Sequence, residues 1–240
     1  MISTGIGTAA RTARLAVLAG AIALGPAIGT AQANPYRPDP PSSTGTLYGD
    51  PAAAGRFWRH QELDDDCVLM AVADVVGELT GDQPTEEAIV AVAASTPSTV
   101  HKGPIYTKPE KHKADEGTSF ADEPVLLAHY GIHAVSSYQN DGPKGGALTA
   151  MDVLEQDLAK GRKVIVGLNA ELIWGRSVKG KGSSGRPDAN HAVVVTGIDT
   201  SAGLVHLNDS GSDGGRDEQV AIDVFARSWA TSGNQMTATD

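Results

Sequence analysis

The segment from Cys67 to Leu79, CVLMAVADVVGEL, is apolar in every direction except at Asp74 and Glu78. A helix with no polar face has no place at a surface, so the rest of the chain must cover it on most sides. Asp64, Asp65 and Asp66 stand just before it, where acids favour a helix N-terminus, and Gly81 can end it. The cover is legible further along. Lys163 to Leu168 (KVIVGL) and His191 to Asp199 (HAVVVTGID) are nearly continuous β-branched runs, the pattern of strands buried on both faces. Thr200 to Gly203 reads as a turn, and Leu204 to Asp209 (LVHLND) as a third strand returning beside the second. Shorter helices are predicted over Thr85 to Ala94, Asp122 to Tyr130, from a Thr149 cap to Gly161, and from Val220 to Trp229, with Ile132 to Tyr138 extended. Residues 95–119 are polar and read as a long surface loop, and residues 139–148 as a Gly-rich turn. Helices first and antiparallel strands afterwards make an α+β fold, with N-terminal helices packed on a C-terminal antiparallel sheet.

The N-terminus has a different composition. Arg11 and Arg14 precede an apolar run, Leu15 to Leu24, followed by Gly25-Pro26 and by Ala31-Gln32-Ala33. A charged segment, a short apolar segment and a small-x-small site are the parts of a secretory signal peptide, and the apolar run is short for a membrane span. Residues 1–33 are therefore predicted to be a signal peptide, and no stable span is expected after its removal. Residues 34–55, dominated by Pro, Ser, Gly and Ala, read as a flexible linker. The folded domain is expected over 56–240, outside the cell or in its envelope. With 19 Lys+Arg against 29 Asp+Glu the chain carries a formal charge of −10, which argues against a nucleic-acid partner.

The sequence contains one cysteine, Cys67. A lone cysteine excludes an internal disulfide and any multi-cysteine metal site. It sits where a helix dipole favours a thiolate, and an exported free thiol is an oxidation liability that calls for a use. His191 opens one strand of the predicted hairpin and Asp209 closes the other, so the hairpin brings them together. That is the base–orienter contact of a Cys-His-Asp arrangement, while alternation sends Asn208 to the opposite face. Gln61, six residues before Cys67, can supply an amide to an oxyanion hole together with the Cys67 backbone N–H.

Gln61, the Asp66-Cys67 pair at the head of a buried helix, the strand His191-Ala-Val-Val-Val-Thr-Gly197 and Asp209 together resemble the papain-like cysteine peptidases. Within that group they are most similar to the peptidase domains of bacteriocin-processing ABC transporters and their stand-alone secreted double-glycine peptidase-like relatives. Tyr130-Gly131-Ile132 and Lys160 to Ile165 look like that family's intervening segments, and the likeness covers roughly residues 57–230. The resemblance implies a papain-like fold and a cysteine peptidase acting on a peptide or protein substrate. It implies Cys67 as nucleophile, His191 as base and acid, Asp209 as orienter and Gln61 as oxyanion donor. Two departures bear on reactivity. Val68 stands where the family usually has Gly, and the Asp64–Asp66 run places carboxylates where they would disfavour a thiolate. They motivate a second reading, a catalytically silent secreted binding protein on the same fold. A third keeps the thiol and changes the acceptor, as in an amidase, a deamidase or a transglutaminase-like enzyme.

No cofactor or metal is expected. Gly175 to Lys181 imitates a phosphate loop, but position 182 is Gly where a hydroxyl should bind magnesium. His101, His112, His129 and His133 lack metal-ligand spacing, and Asp64–Asp66 lacks the spaced acids of a calcium loop.

Overall fold

The computed structural model describes residues 45–108, 117–139, 148–180, 185 and 187–240. The predicted signal peptide, the linker up to residue 44 and His112 lie outside the described residues. In chain order the elements are β1 (Leu47–Gly49), α1 (Pro51–Ala54), α2 (Cys67–Thr80), α3 (Glu86–Ser95), α4 (Glu123–His129), β2 (Ala134–Tyr138), α5 (Ala150–Ala159), β3 (Val164–Leu168), α6 (Ala170–Ile173), β4 (His191–Asp199), β5 (Leu204–Asn208), β6 (Glu218–Ala221), α7 (Ile222–Trp229) and β7 (Gln235–Thr239).

The apolar segment forms α2, with Val68 through Gly77 buried and Gly81 closing the helix at φ +78°. The strands form one antiparallel sheet in the order β2-β7-β3-β4-β5-β6, and β1 pairs with the far end of β4. Strand alternation divides the core into two layers. Ile165, Ala192 and Val194 face α2, α3 and α4, where Leu69, Val72, Ile89 and Leu126 cover them. Val164, Val166, Val193 and Val195 face the other way, beneath Leu154 and Leu158 of α5 and Phe225 and Trp229 of α7. Both faces of β3 and β4 are thus buried, as their unbroken apolar runs require. The result is the α+β, papain-like arrangement of helices on an antiparallel sheet.

Local signals hold where side chains close their own helices. Thr85 caps α3 by accepting from the Ala88 N–H, and Thr149 with Asp152 forms a reciprocal capping box on α5. Three expectations are corrected, and one strand, β7, carries no sequence signal. The ordered chain begins before Arg56: Leu47–Gly49 extends the sheet on β4, and Asp50 caps α1, whose Pro51 and Ala54 are buried. The 95–119 loop sends Ile105 and Tyr106 into the core beside α2, because two large apolar side chains outweigh the polar residues around them. The predicted Val220–Trp229 helix begins two residues later, at Ile222, because Val220 and Ala221 end the strand β6. Finally β7, which reads as polar, lies between β2 and β3. Its buried Gln235, Thr237 and Thr239 are paired: Gln235 accepts from the Gly167 N–H (2.8 Å), Thr237 shares a hydrogen bond with Ser136 (2.6 Å), and Thr239 accepts from the Lys163 N–H (2.9 Å).

The earlier start has a measurable consequence. A chain beginning at Arg56 loses the β1–β4 ladder and the buried Ala54, so its thermal midpoint is expected to fall by several degrees below that of a chain beginning at Gly45. Equal midpoints by circular dichroism would restore the whole of 34–55 to the linker.

Candidate active site

Three elements converge at one end of the sheet. α2 presents Cys67 at its first residue, β4 opens on His191, and the chain leaving β5 carries Asp209 back across the hairpin. His191 and Asp209 are both buried, and His191 Nε2 lies 2.6 Å from Asp209 Oδ1. Cys67 lines the same cleft and acts on the same imidazole, and because Nε2 is committed to Asp209, Nδ1 is the nitrogen left to face the sulfur.

Asp209 is held on every side. The Trp174 indole N–H donates to Oδ2 (2.9 Å), the Gly211 N–H to Oδ1 (2.8 Å), and the Trp58 indole N–H to the backbone carbonyl (2.6 Å). Burial alone would raise its pKa. The hydrogen bond and charge of His191, with the Trp174 and Gly211 donors, outweigh burial and lower it, so the carboxylate stays ionised. For His191, burial opposes the charged ring. The Cys67 thiolate charge, the Asp209 hydrogen bond, the Cys67 hydrogen bond and the Asp209 charge prevail and push it up to about 10. A charged imidazole beside the ionised Asp209 is thus the stable state of the ring at neutral pH. The site opens on a cleft of about 580 Å³, lined among others by Gln61, Cys67, Phe120, Trp174, Asn190 and His191.

Comparison with known proteins agrees with this geometry. The sequence pattern of the Peptidase_C39-like family matches residues 58–237. The chain belongs to the Peptidase_C39-like family. It is 50% identical, over 100% of both chains, to uncharacterized proteins of Mycobacterium bovis and Mycobacterium tuberculosis. The crystal structure of a chain described as a C39-like peptidase from Bacillus anthracis superposes with a TM-score of 0.55 at 18% identity, covering 81% of this chain and 98% of that one. That likeness supports the fold, a C39-like peptidase domain in which α2 carries the cysteine.

Gln61 lines the same cleft as Cys67 in this C39-like domain. Its Nε2 donates to the Leu63 carbonyl (2.7 Å), its Oε1 accepts from the Ser210 hydroxyl (2.9 Å), and its backbone N–H donates to the Ser210 carbonyl (2.9 Å). The glutamine is thereby tied to the residue after Asp209, and one amide hydrogen remains for another acceptor.

The acidic run behaves differently from its sequence reading as capping and solvated carboxylates. Only Asp64 is exposed. Asp66 makes no side-chain cap to α2 and is fully buried, and Asp65 accepts a hydrogen bond from the Tyr106 hydroxyl (2.8 Å). The Asp66 carboxyl meets Glu86, whose oxygens accept the backbone N–H groups of Glu62 and Leu63 at 2.9–3.1 Å. Burial, then the Glu86 hydrogen bond and charge, then Asp65, push Asp66 up to about 8, so it is a neutral acid donating to Glu86. The shift favours the neutral form of the residue before the thiol, and Glu86, holding the Glu62 and Leu63 N–H groups, anchors the Gln61–Cys67 loop. Val68 is buried among the α2 core residues, where a branched side chain fits.

Trp58, Trp174, Gly211 and Glu86 also build the site and were absent from the sequence reading. A signal existed for the tryptophans: there are three in the chain, and two of them donate to Asp209.

Two variants probe this arrangement. A Cβ at Gly211 would lie 2.9 Å from His191 Cε1 and 3.1 Å from Trp174 Cζ2. Gly211→Ala is expected to displace the imidazole and slow alkylation of Cys67 by iodoacetamide by about 10²-fold; a wild-type rate would show that the ring tolerates the methyl. The second concerns pH. Asp66 binds its proton more tightly folded than unfolded, so its contribution to stability is lost as pH rises from about 4, the unfolded value, through about 8. Asp66→Asn keeps a donor toward Glu86 and removes the titration. In urea unfolding, its stability relative to wild type should rise between pH 5 and pH 8.5 by on the order of 1–3 kcal/mol; a pH-independent difference would contradict a neutral Asp66.

Proposed function

We propose that this protein is an exported cysteine hydrolase, a peptidase that cleaves an amide bond through Cys67, His191 and Asp209 with Gln61 as oxyanion donor. The observation that carries the reading is the position of His191, hydrogen-bonded to Asp209 and sharing an open cleft with Cys67, which acts on its ring. Family membership supports the same chemistry. The leader-like segment before residue 34 supports export, and among the described residues no helix is long and apolar enough to cross a membrane.

The steps follow from the charges. The Cys67 thiolate attacks the carbonyl carbon of a peptide lying in the cleft. The developing oxyanion takes hydrogen bonds from the free Gln61 amide hydrogen and the Cys67 backbone N–H. The His191 imidazolium gives its Nδ1 proton to the leaving amine, and the C–N bond breaks to leave a thioester on Cys67. Water then attacks the thioester while neutral His191 takes its proton. Expulsion of the thiolate restores the ion pair. Asp209 keeps Nε2 protonated throughout, so Nδ1 is the nitrogen that exchanges protons with sulfur and substrate.

The test uses a peptidyl electrophile directed at thiols, followed by mass spectrometry of the labelled residue. Cys67 is expected to be the labelled residue, Cys67→Ala to be inert, His191→Ala to slow labelling by about 10²–10⁴-fold, and Gln61→Ala to slow amide turnover by about 10²–10³-fold while leaving alkylation nearly unchanged. Folded, reduced protein that resists labelling at Cys67 would remove the enzyme reading in favour of a binding protein.

A further inference from the structure

One carboxyl at this site is left unused by the mechanism above. Glu218 lies on β6 opposite Leu207 of β5, two residues before Asp209. Its side chain lies on the same face of the sheet as Asp209, one pair further along the ladder, where the two carboxyls meet. Its Oε2 is buried without any N–H or O–H donor. Two carboxyl groups in hydrogen-bond contact must hold one proton between them. Asp209 already accepts from His191, Trp174 and Gly211, all of which favour its ionised form. The proton therefore belongs to Glu218.

We propose that Glu218 is a positioning residue of the catalytic group: as a carboxylic acid it donates its O–H to Asp209 and holds that carboxylate against His191, and loss of its proton releases the hold. The proposal rests on the thiol-hydrolase reading and adds a fourth member behind the Cys67–His191–Asp209 line. Ionisation sends the proton to solvent and leaves two carboxylates in contact, which must separate by rotating apart. His191 depends on Asp209 for its orientation, so separation misplaces the ring.

The neighbouring charges leave this pair to itself. His206 from β5 is paired with Asp217 at 2.6 Å, His60 with Asp213 at 3.3 Å, and Arg216 stacks 5.5 Å over the Trp58 ring. Asp209 and His191 are the charges that act on Glu218. Burial first, then the charge and hydrogen bond of Asp209, raise Glu218 to about 7, against the opposing pull of His191 and Ser212. His191 itself titrates near 10, so a transition near neutrality is not its own.

The experiment follows the rate of Cys67 alkylation by iodoacetamide from pH 5.5 to 8.5 in wild type, Glu218→Gln and Glu218→Ala. An ordinary thiol reacts faster as pH rises. Here the wild-type rate is expected to fall by roughly tenfold across pH 7 as the ring loses its positioning. Glu218→Gln, which retains an N–H donor toward Asp209, should hold the low-pH rate throughout, and Glu218→Ala should show the reduced rate throughout. If the alanine variant does not fold, wild type against Glu218→Gln decides alone. Superimposable profiles for those two, or a wild-type rate that rises across pH 7, overturn the role of Glu218 and leave the hydrolase reading standing. A Cys67 that no electrophile labels at any pH overturns both.

Discussion

The burial of α2 against β4 is the contact on which the rest of this domain depends. A helix apolar on every face must be enclosed, and the sheet face made by Ile165, Ala192 and Val194 encloses one side while α3, α4, Ile105 and Tyr106 take the others. Once α2 is seated there, its first residue lies at the end of the sheet where β4 begins, so the thiol and the imidazole meet without any loop having to place them. The geometry of the site is set by core packing, and rigid elements hold it more closely than loops can.

The same helix carries acids into the interior at both ends, and the structure handles them alike. At the N-terminal end Asp66 is a neutral acid on Glu86. At the other, burial and then the Glu78 charge raise Asp74 well above its ordinary value, and Glu78 is also raised. Lys163 binds Glu78 at 2.7 Å, and Asn208 donates to Asp74 at 2.8 Å and to the Ala54 carbonyl at 3.0 Å. Asn208 thus fastens the strand that ends at Asp209 to α2 and to the early turn of α1. Shared protons and fixed donors let buried carboxyls tie elements together at less cost than full charges, because an uncompensated buried charge carries a large desolvation penalty.

Much of the site was legible because its parts are tied to strong local signals. His191 and Asp209 stand at the two ends of a hairpin whose turn, Thr200–Gly203, is written in the sequence, so their proximity follows from strand pairing. Cys67 stands at the edge of the apolar run, and the helix start follows from that edge. Other parts carried no such signal. β7 is a polar string that becomes a strand because its side chains are satisfied by neighbours distant in sequence, and Leu47–Gly49 becomes a strand because β4 extends past β3 and offers it a free edge. Trp58 and Trp174 look like ordinary aromatics until their indole N–H groups are seen at Asp209.

By itself, the sequence determined the central elements and the order of chemistry along the chain: an enclosed helix headed by the one thiol, doubly buried strands, and a hairpin joining a histidine to an aspartate. These follow from local periodicity and from side-chain types, which need no knowledge of distant neighbours. Only the tertiary structure decided the charge states of the acids. Asp64, Asp65 and Asp66 are the same residue type in succession, yet one is exposed, one is bound to Tyr106 and one is a buried neutral acid facing Glu86. The physical reason is that ionisation depends on burial and on which group stands opposite, and both are set by chain segments that come together only on folding.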